Sequence, residues 1–455
     1  MTDGHEITRR LVAHASRSRF DDLSSQAVAS SKVFILDSLG VALSGSRVPS
    51  IVALKETAAT WGAGEASRVW GSGERVPAPA AAFLNGWQIH NQEWDCVHEP
   101  AVVHPMAVVL ATLVAFAESR GGMDGRRLIT GVSVAVDIAT GIGRAARNKL
   151  RFFRPAMCGA LGATAGMANM LGLDEATTRS ALGIAYSQLS GTMQAHIEGS
   201  PVLPMQIGFN ARAALVAIEL ATRGITGPGD FLEGVHGYFT LIDPEWDAAA
   251  FDGFETRRAV TELSHKPFPS GRATHGGVDG LLTLQSRLGF KADDLAAAVV
   301  HAPPLVIQLV DRPAHPGMAP AYARLCLPYV AATALLTGDV GVADFERSAL
   351  DDAQRHALAA RIGARRDANP SLNALAPQRV EITLRDGSHH ALDLPAVLGA
   401  PGRPLDRDRH LAKFRRAAAS GARPLTPEGI ESLIGLVDRL EALDDVRHLV
   451  DALLL

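Results

Sequence analysis

The sequence of 455 residues has few cysteines and almost no charge bias, and each shortage excludes a class of protein. Its three cysteines, Cys96, Cys158 and Cys326, are far apart, so we expect neither a disulfide framework nor a paired-cysteine metal site. Sparse cysteine is compatible with the reducing cytoplasm, where we expect the protein to reside. The net charge of −4 argues against a nucleic-acid partner, because proteins that bind nucleic acid usually carry a basic surface.

Common cofactor and nucleophile motifs are also missing. The sequence contains no GxGxxG followed by an acidic residue, no GxxxxGK[ST], no GxSxG and no HExxH. Functions that depend on a dinucleotide, on ATP, on a serine esterase elbow or on a zinc protease motif therefore have no support in the sequence.

Long hydrophobic runs are scarce, and none predicts association with a membrane. Residues 1–20 carry several charges and lack the apolar stretch of a secretion signal. One uncharged run, 155–173, is long enough to span a bilayer. Alanine and glycine dominate this run, and such small side chains gain little from lipid. We therefore predict a buried helix at the centre of a helical bundle.

Helical patterns occupy both ends of the chain. Apolar residues make up 47% of the sequence and charged residues 20%, which predicts a folded protein with a large core. Near the C-terminus, Thr426 can cap a helix that begins at Pro427. The other predicted helices cover 107–118, 180–190 and 211–223.

The pattern changes after residue 262. Residues 296–301 indicate a strand, and 379–385 and 389–394 alternate on either side of an Asp-Gly turn, as in a β-hairpin. Residues 401–404 mark a return to helix. The fold class predicted from these patterns is mainly α, with an α+β segment before the last helices.

Polar side chains are concentrated between residues 85 and 105. Histidine titrates near neutral pH, and a carboxylate beside it can orient the ring or shift its pKa, which suits acid–base catalysis. Two other interpretations stay open: a polar loop between helices, and a zinc site, although the spacing matches no common zinc-ligand pattern. The concentrated residues are His90, Glu93, Asp95, His98, Glu99 and His104.

A second polar cluster lies between residues 265 and 275. Lys266 and Arg272 flank a turn rich in proline and glycine, with His265 and His275 at its ends. Cationic donors there can bind a carboxylate, and an arginine can do so through two parallel hydrogen bonds. A solvated loop at a domain boundary is the alternative.

Further short motifs follow one another along the chain. They are Cys158-Gly-Ala, Leu171-Gly-Leu-Asp174, 181–185, 190–191, 208–212, 224–228, 232–234, Lys266-Pro-Phe-Pro with His275, Leu327-Pro-Tyr329 and Lys413-Phe414. Together with the segment 85–105 they occur in the order of the MmgE/PrpD family, which includes 2-methylcitrate dehydratase, cis-aconitate decarboxylase and iminodisuccinate epimerase. The sequence therefore resembles this family along nearly its whole length.

The resemblance implies a fold of two parts. A large all-helical domain would comprise residues 1–262 and 403–455, and a smaller α+β lid domain would comprise residues 263–402. It also implies a homodimer and a site in the cleft between the two domains that needs no cofactor and no metal ion.

The resemblance also implies an enzyme. Family members act on small di- and tricarboxylates by proton transfer at a carbon next to a carboxylate, so the first hypothesis is a lyase, either a dehydratase or a decarboxylase. The alternatives are an isomerase or epimerase, and a member that only binds a carboxylate. Carried over by position, the catalytic residues are His104, His275, Asp95 and Tyr329.

The expected substrate-binding residues include several departures from the family pattern. Glu93 stands where the family has aspartate, Arg154 where it usually has histidine, and Leu203 and Gln206 where it has lysine and histidine. We expect Arg154 to bind a substrate carboxylate, with an ion pair to a structural acid such as Glu93 as the alternative. The complete predicted binding set is Glu93, Arg154, Gln206, Lys266 and Arg272.

Overall fold

Helices account for most of the computed structural model, which describes residues 6–454. The first half of the chain supplies the larger part of the bundle. Its helices are α1 (Glu6–Arg17), α2 (Ser25–Gly45), α3 (Ile51–Ala59), α4 (Ala78–His90), α5 (Pro105–Ser119), α6 (Gly125–Ala145), α7 (Arg154–Leu171), α8 (Glu175–Tyr186), α9 (Gln194–Glu198), α10 (Val202–Ala221) and α11 (Tyr238–Leu241). A short antiparallel ladder, β1 (Ser67–Arg68) with β2 (Arg75–Val76), lies among them.

The alanine- and glycine-rich helix α7 lies at the centre of this bundle, as predicted. It packs against α5, α6 and α10 and is buried along almost its whole length. A Cβ atom at Gly162 would lie 2.3 Å from the carbonyl oxygen of Ala135, and one at Gly166 would lie 2.6 Å from that of Gly131. Glycine at these two positions therefore permits the close approach of α6 and α7.

Two other helices, α2 and α6, are long and apolar enough to cross a membrane by length and composition alone. The most apolar part of α2 is 72% buried inside the protein, and that of α6 is 94% buried. Helices buried in this way have the character of core helices in a folded bundle.

A four-stranded mixed sheet forms in the segment that the sequence assigns to the α+β part. The strand order is β4-β3-β5-β6, with β3 parallel to β4 and antiparallel to β5. Helices α12 and α15 pack against the sheet. The strands are β3 (Leu295–Ala302), β4 (Ile362–Arg366), β5 (Gln378–Leu384) and β6 (His389–Leu394). The helices are α12 (His275–Leu288), α13 (Pro304–Val310), α14 (Pro320–Ala323), α15 (Leu327–Thr337), α16 (Arg347–Leu350) and α17 (Ala353–Ala359).

The last three helices return to the bundle, where α18 packs against α2. The Asp37 carboxylate on α2 lies 2.6 Å from the Lys413 ammonium on α18, and both side chains are buried. Thr426 caps α19 by accepting a hydrogen bond from the backbone N–H of Gly429, as predicted. The three helices are α18 (Arg407–Ala418), α19 (Pro427–Asp438) and α20 (Arg447–Ala452).

The predicted fold class is confirmed: the protein is mainly helical and contains a small sheet domain. Two details differ from the prediction. The helical part is not wholly helical, because the ladder of β1 and β2 lies within it. The strand β4 was not predicted, because its sequence, Ile-Gly-Ala-Arg-Arg, has no period-2 alternation and forms a strand only by pairing with β3.

Candidate active site

The loop between α4 and α5 carries the first polar cluster. His90 is the last residue of α4, and His104 directly precedes α5, which begins at Pro105. Between them, Glu93 adopts a left-handed backbone conformation with φ of 53°. This conformation is unfavourable for a residue with a Cβ atom, so surrounding contacts must hold it in place. Lys266 provides one of them, because its ammonium donates to the carbonyl oxygen of Glu93 at 2.9 Å.

The carboxylate of Asp95 lies between two histidines and is fully buried. Its Oδ2 lies 3.0 Å from Nδ1 of His90 and 3.2 Å from Nδ1 of His104. The two imidazole rings meet edge to face, with centroids 5.0 Å apart. One carboxylate therefore orients two imidazole rings. Each ring faces Asp95 through Nδ1, so its Nε2 is not used in this contact.

Lys266 compensates the acidic side of this cluster. Its ammonium is wholly buried, 3.0 Å from Oε2 of Glu93 and 3.7 Å from Oδ1 of Asp95. The structure thus brings together four of the residues predicted from the sequence: Glu93, Asp95, His104 and Lys266.

The electrostatic environment keeps both carboxylates ionised. Burial alone would raise the pKa of Glu93, but Lys266 and then His90 outweigh burial and lower that pKa to about 2. Burial would likewise raise the pKa of Asp95, and the two histidines and Lys266 together hold it well below its usual value. Both groups are therefore anions at neutral pH.

The same environment separates the two histidines. Burial, with the positive charge of Lys266, lowers the pKa of His104 below 6.5. Burial also disfavours protonated His90, but the Asp95 and Glu93 carboxylates outweigh it and raise the pKa of His90. His90 thus holds a proton more firmly than His104. Opposed shifts in a neighbouring pair are typical of groups that divide acid and base roles.

A cavity of about 60 Å³ adjoins these histidines. Most of its wall is apolar, and its titratable residues come from the end of α4 and the loop that follows it, from α9 and from the segment before α12. Its lining includes His90, Glu93, His104, Phe153, Met193, His196, Arg272, Val310, Leu325 and Leu375.

Arg272 lines the cavity, as its predicted role in substrate binding requires, but its donors are already used. Its Nε donates to Glu99 at 2.9 Å, and its two terminal nitrogens donate to the carbonyl oxygens of Leu398 at 2.7 Å and Val397 at 3.2 Å. Arg272 therefore ties three segments together and offers little to a ligand.

Two predicted catalytic residues do not reach this cavity. His275 is buried beside Phe268, with Nε2 3.2 Å from the carbonyl oxygen of Ser270, and its burial holds its pKa well below the usual value. The hydroxyl of Tyr329 donates to the carbonyl oxygen of Asp344 at 2.6 Å. The 270–275 turn supplies Arg272 rather than His275 to the lining of this cavity, and the placement of His104 and His275 in one cleft stays a prediction.

Two predicted binding residues also lie elsewhere. Arg154 is buried, with one terminal nitrogen 3.5 Å from Oδ1 of Asp243, so its acidic partner is Asp243 rather than Glu93. Gln206 accepts from the backbone N–H of Thr192 at 2.6 Å and donates to the same residue's carbonyl at 3.2 Å. In this structure both side chains hold neighbouring backbone or side chains, and neither lines the cavity.

The structure adds two residues to the predicted set. His90 was recognised in the polar cluster but not among the site residues, although its spacing from Asp95 was a usable signal. His196 lines the cavity, and burial with the charge of Arg312 lowers the pKa of His196 to about 4. No local motif surrounds His196, so its position could be learned only from the fold.

Within residues 6–454, two groups of side chains place three possible metal-ligand atoms within 4.8 Å of one another. One consists of Asp37, His265 and His410, and the other of the histidines and carboxylate of the site. A lysine already lies against the carboxylate in each group, Lys413 at 2.6 Å from Asp37 and Lys266 at 3.7 Å from Asp95. These ammonium groups supply the positive charge that a metal ion would otherwise supply.

Comparisons with known proteins identify the family of the chain. The MmgE/PrpD N-terminal domain matches residues 9–249, and the MmgE/PrpD C-terminal domain matches residues 268–428. The chain is similar to a cis-aconitate decarboxylase of Mus musculus, at 28% identity over 94% of this chain and 89% of that protein. It is also similar to one of Homo sapiens, at 27% identity over 93% and 89%, and to one of Aspergillus terreus, at 25% identity over 98% and 96%. Two matched domains spanning most of the sequence show that the chain belongs to the MmgE/PrpD family.

Proposed function

We propose that the protein is a lyase that removes CO₂ from a small unsaturated di- or tricarboxylic acid, with His104 as the proton donor. The observation that carries this proposal is the placement of His104: it lines the cavity while its Nδ1 lies 3.2 Å from the buried Asp95 carboxylate. The named relatives, which are cis-aconitate decarboxylases, favour decarboxylation over dehydration.

Decarboxylation requires one proton transfer from the protein. The carbon–carbon bond to one carboxylate breaks, CO₂ leaves, and the electron pair moves into the conjugated remainder of the acid. A carbon of that remainder then takes a proton, which His104 supplies. In the free site the pKa of His104 is lowered, but a bound carboxylate favours the imidazolium form. Substrate binding would therefore protonate the donor, and Asp95 would stabilise the resulting cation.

The remaining residues of the site would act on charge and position. His90 shares Asp95 with His104 and keeps its own proton, so it fixes the orientation of the carboxylate that faces the donor. Lys266 and Arg272 are already paired with Glu93 and Glu99. Few cations are thus left to bind substrate carboxylates. This favours a substrate in which fewer than three carboxylates contact a cation of the protein.

The proposed reaction can be tested by proton NMR in deuterated buffer with cis-aconitate and glutaconate as candidate acids, because in both the departing carboxylate stands on a carbon next to the double bond. We expect one of them to lose CO₂ and to gain one deuterium on carbon. Deuterium exchange without loss of CO₂ would instead support an isomerase. Binding with neither change would support a member of the family that only binds carboxylates.

The pH profile gives a separate expectation. As a donor, His104 must be protonated, and kcat/KM follows the ionisation of the free enzyme. Because burial and Lys266 lower that pKa, we expect kcat/KM to be constant in acid and to fall about tenfold per pH unit above a midpoint below 6.5. Initial rates between pH 4 and 9 measure the midpoint. A profile that instead rises with pH through that same midpoint would show that His104 acts as a base.

A further inference from the structure

A second cavity, of about 330 Å³, lies beside the catalytic one and shares His90, Glu93 and Leu325 with it. Small-molecule sites usually have volumes of about 300–1,000 Å³, so this cavity can hold a small acid whereas the catalytic one alone cannot. Its other walls are mainly apolar. They include Val48, Trp87, Pro201, Leu203, Pro320 and Arg324.

Among residues 6–454, Arg324 is the only arginine that lines this second cavity. It lies just before α15, and 5% of its surface is exposed. One terminal nitrogen donates to the carbonyl oxygens of Gln92 at 3.2 Å and Pro269 at 2.8 Å. The guanidinium also lies over the ring of Phe345, 4.2 Å from its centroid. Its Nε and second terminal nitrogen make no hydrogen bond to any residue between 6 and 454.

The charge of Arg324 distinguishes it from the other buried cations near the site. Among the described residues, no carboxylate lies within ion-pair distance of Arg324. By contrast, Lys266 pairs with Glu93, Arg272 with Glu99, and Arg154 with Asp243. A buried cation without an anion is costly, and burial lowers the pKa of Arg324 to about 9. A ligand anion in the cavity would remove that cost.

We propose that Arg324 binds a carboxylate of the substrate in the second cavity, so that the acid extends from Arg324 past His90 and Glu93 to His104. This inference rests on the proposed function only in taking the ligand to be the substrate. Glu93 faces the same cavity, but Lys266 and His90 neutralise its charge. Two free donors of one guanidinium match the two oxygens of a carboxylate. The role expected of Arg154 from the sequence thus belongs to Arg324.

The test is a binding measurement in a His104→Gln background, where the acid is not consumed. Isothermal titration with cis-aconitate and maleate compares this background with added Arg324→Gln, Arg324→Lys or Arg355→Gln. We expect Arg324→Gln to weaken binding of the acid that binds best by about 10- to 150-fold, the range for losing a hydrogen-bonded charged partner. Arg324→Lys should restore part of the loss, because an ammonium keeps the charge but not the paired donors. Arg355, which pairs with Asp344 at 2.8 Å, is the matched control and should change nothing.

Two further measurements separate ligand binding from a structural role. Ala321→Trp fills the second cavity without removing Arg324, and it should weaken binding of the same acid. A monomethyl ester of that acid should bind the His104→Gln protein more weakly than the acid does, and Arg324→Gln should then have a smaller effect. Unchanged affinity in Arg324→Gln, or no binding of either acid at millimolar concentration, would overturn the proposal. Failure of the proposed decarboxylation would not overturn it, because these measurements record binding without turnover.

Discussion

Replacing His104 by glutamine is expected to lower kcat/KM for the decarboxylated acid by about 10²- to 10⁴-fold, the usual contribution of one general acid. Glutamine retains a hydrogen-bonding group of similar size, so it can still face Asp95 but cannot deliver a proton. Because the substrate carboxylate would be held by Arg324, the loss should appear in kcat with little change in substrate affinity.

Two further variants serve for comparison: Asp95→Asn, which removes the charge beside the donor, and His448→Gln, which is the control. Asparagine at 95 keeps the shape but removes the charge between His90 and His104, so we expect a loss approaching that of His104→Gln. His448 lies in α20 with an exposed side chain, and its substitution should leave the rate unchanged. If His104→Gln kept more than about a tenth of the activity, another residue would have to be the proton donor.

Replacing Asp37 by asparagine is expected to lower the free energy of unfolding by about 3–5 kcal/mol, as for other buried ion pairs that lose one partner. Asp37 and Lys413 are both buried and 2.6 Å apart, and they join α2 to α18. Without the carboxylate, the Lys413 ammonium would be left in an apolar environment, which already lowers the pKa of Lys413. Urea unfolding followed by near-UV circular dichroism measures the change.

A double variant, Asp37→Leu with Lys413→Met, provides the control. Apolar pairs of similar size often replace buried ion pairs without loss of stability, so we expect the double variant to recover most of the stability that Asp37→Asn loses. A single variant that unfolds within about 1 kcal/mol of the wild type would show that the pair contributes little. Lys413 also donates to the carbonyl oxygen of Trp94 at 2.9 Å, so loss of its position should also disturb Asp95 and lower activity.

Local patterns predicted much of the fold. The hairpin of β5 and β6 lies where alternation flanks an Asp-Gly turn, and α19 begins where Thr426 and Pro427 indicate a cap. These features depend on neighbours in sequence. The strand β4 depends on pairing with β3, about sixty residues away, and no local pattern marks it.

The candidate site likewise contains residues that local sequence patterns mark and residues whose roles depend on distant contacts. His104 and Asp95 lie in one short polar segment and Lys266 in another, so the sequence marked all three as candidates, whereas the contacts between them depend on the fold. The partner of Arg154 depends on where α7 places its side chain, because Asp243 is almost ninety residues away in the sequence. No sequence pattern marks Arg324, because the absence of an anion around an arginine is visible only in the folded chain.

The contact of Lys266 with Glu93 has a consequence for how the protein can evolve. Lys266 binds both the side chain and the carbonyl oxygen of Glu93, and Val97 pairs with Ser264 nearby. The two polar segments therefore depend on each other for their positions, although about 170 positions in the sequence separate them. A shorter aspartate at 93 would draw its oxygens away from Lys266 unless the lysine segment shifted with it. A substitution that moves the backbone of one segment should therefore also displace the polar groups of the other.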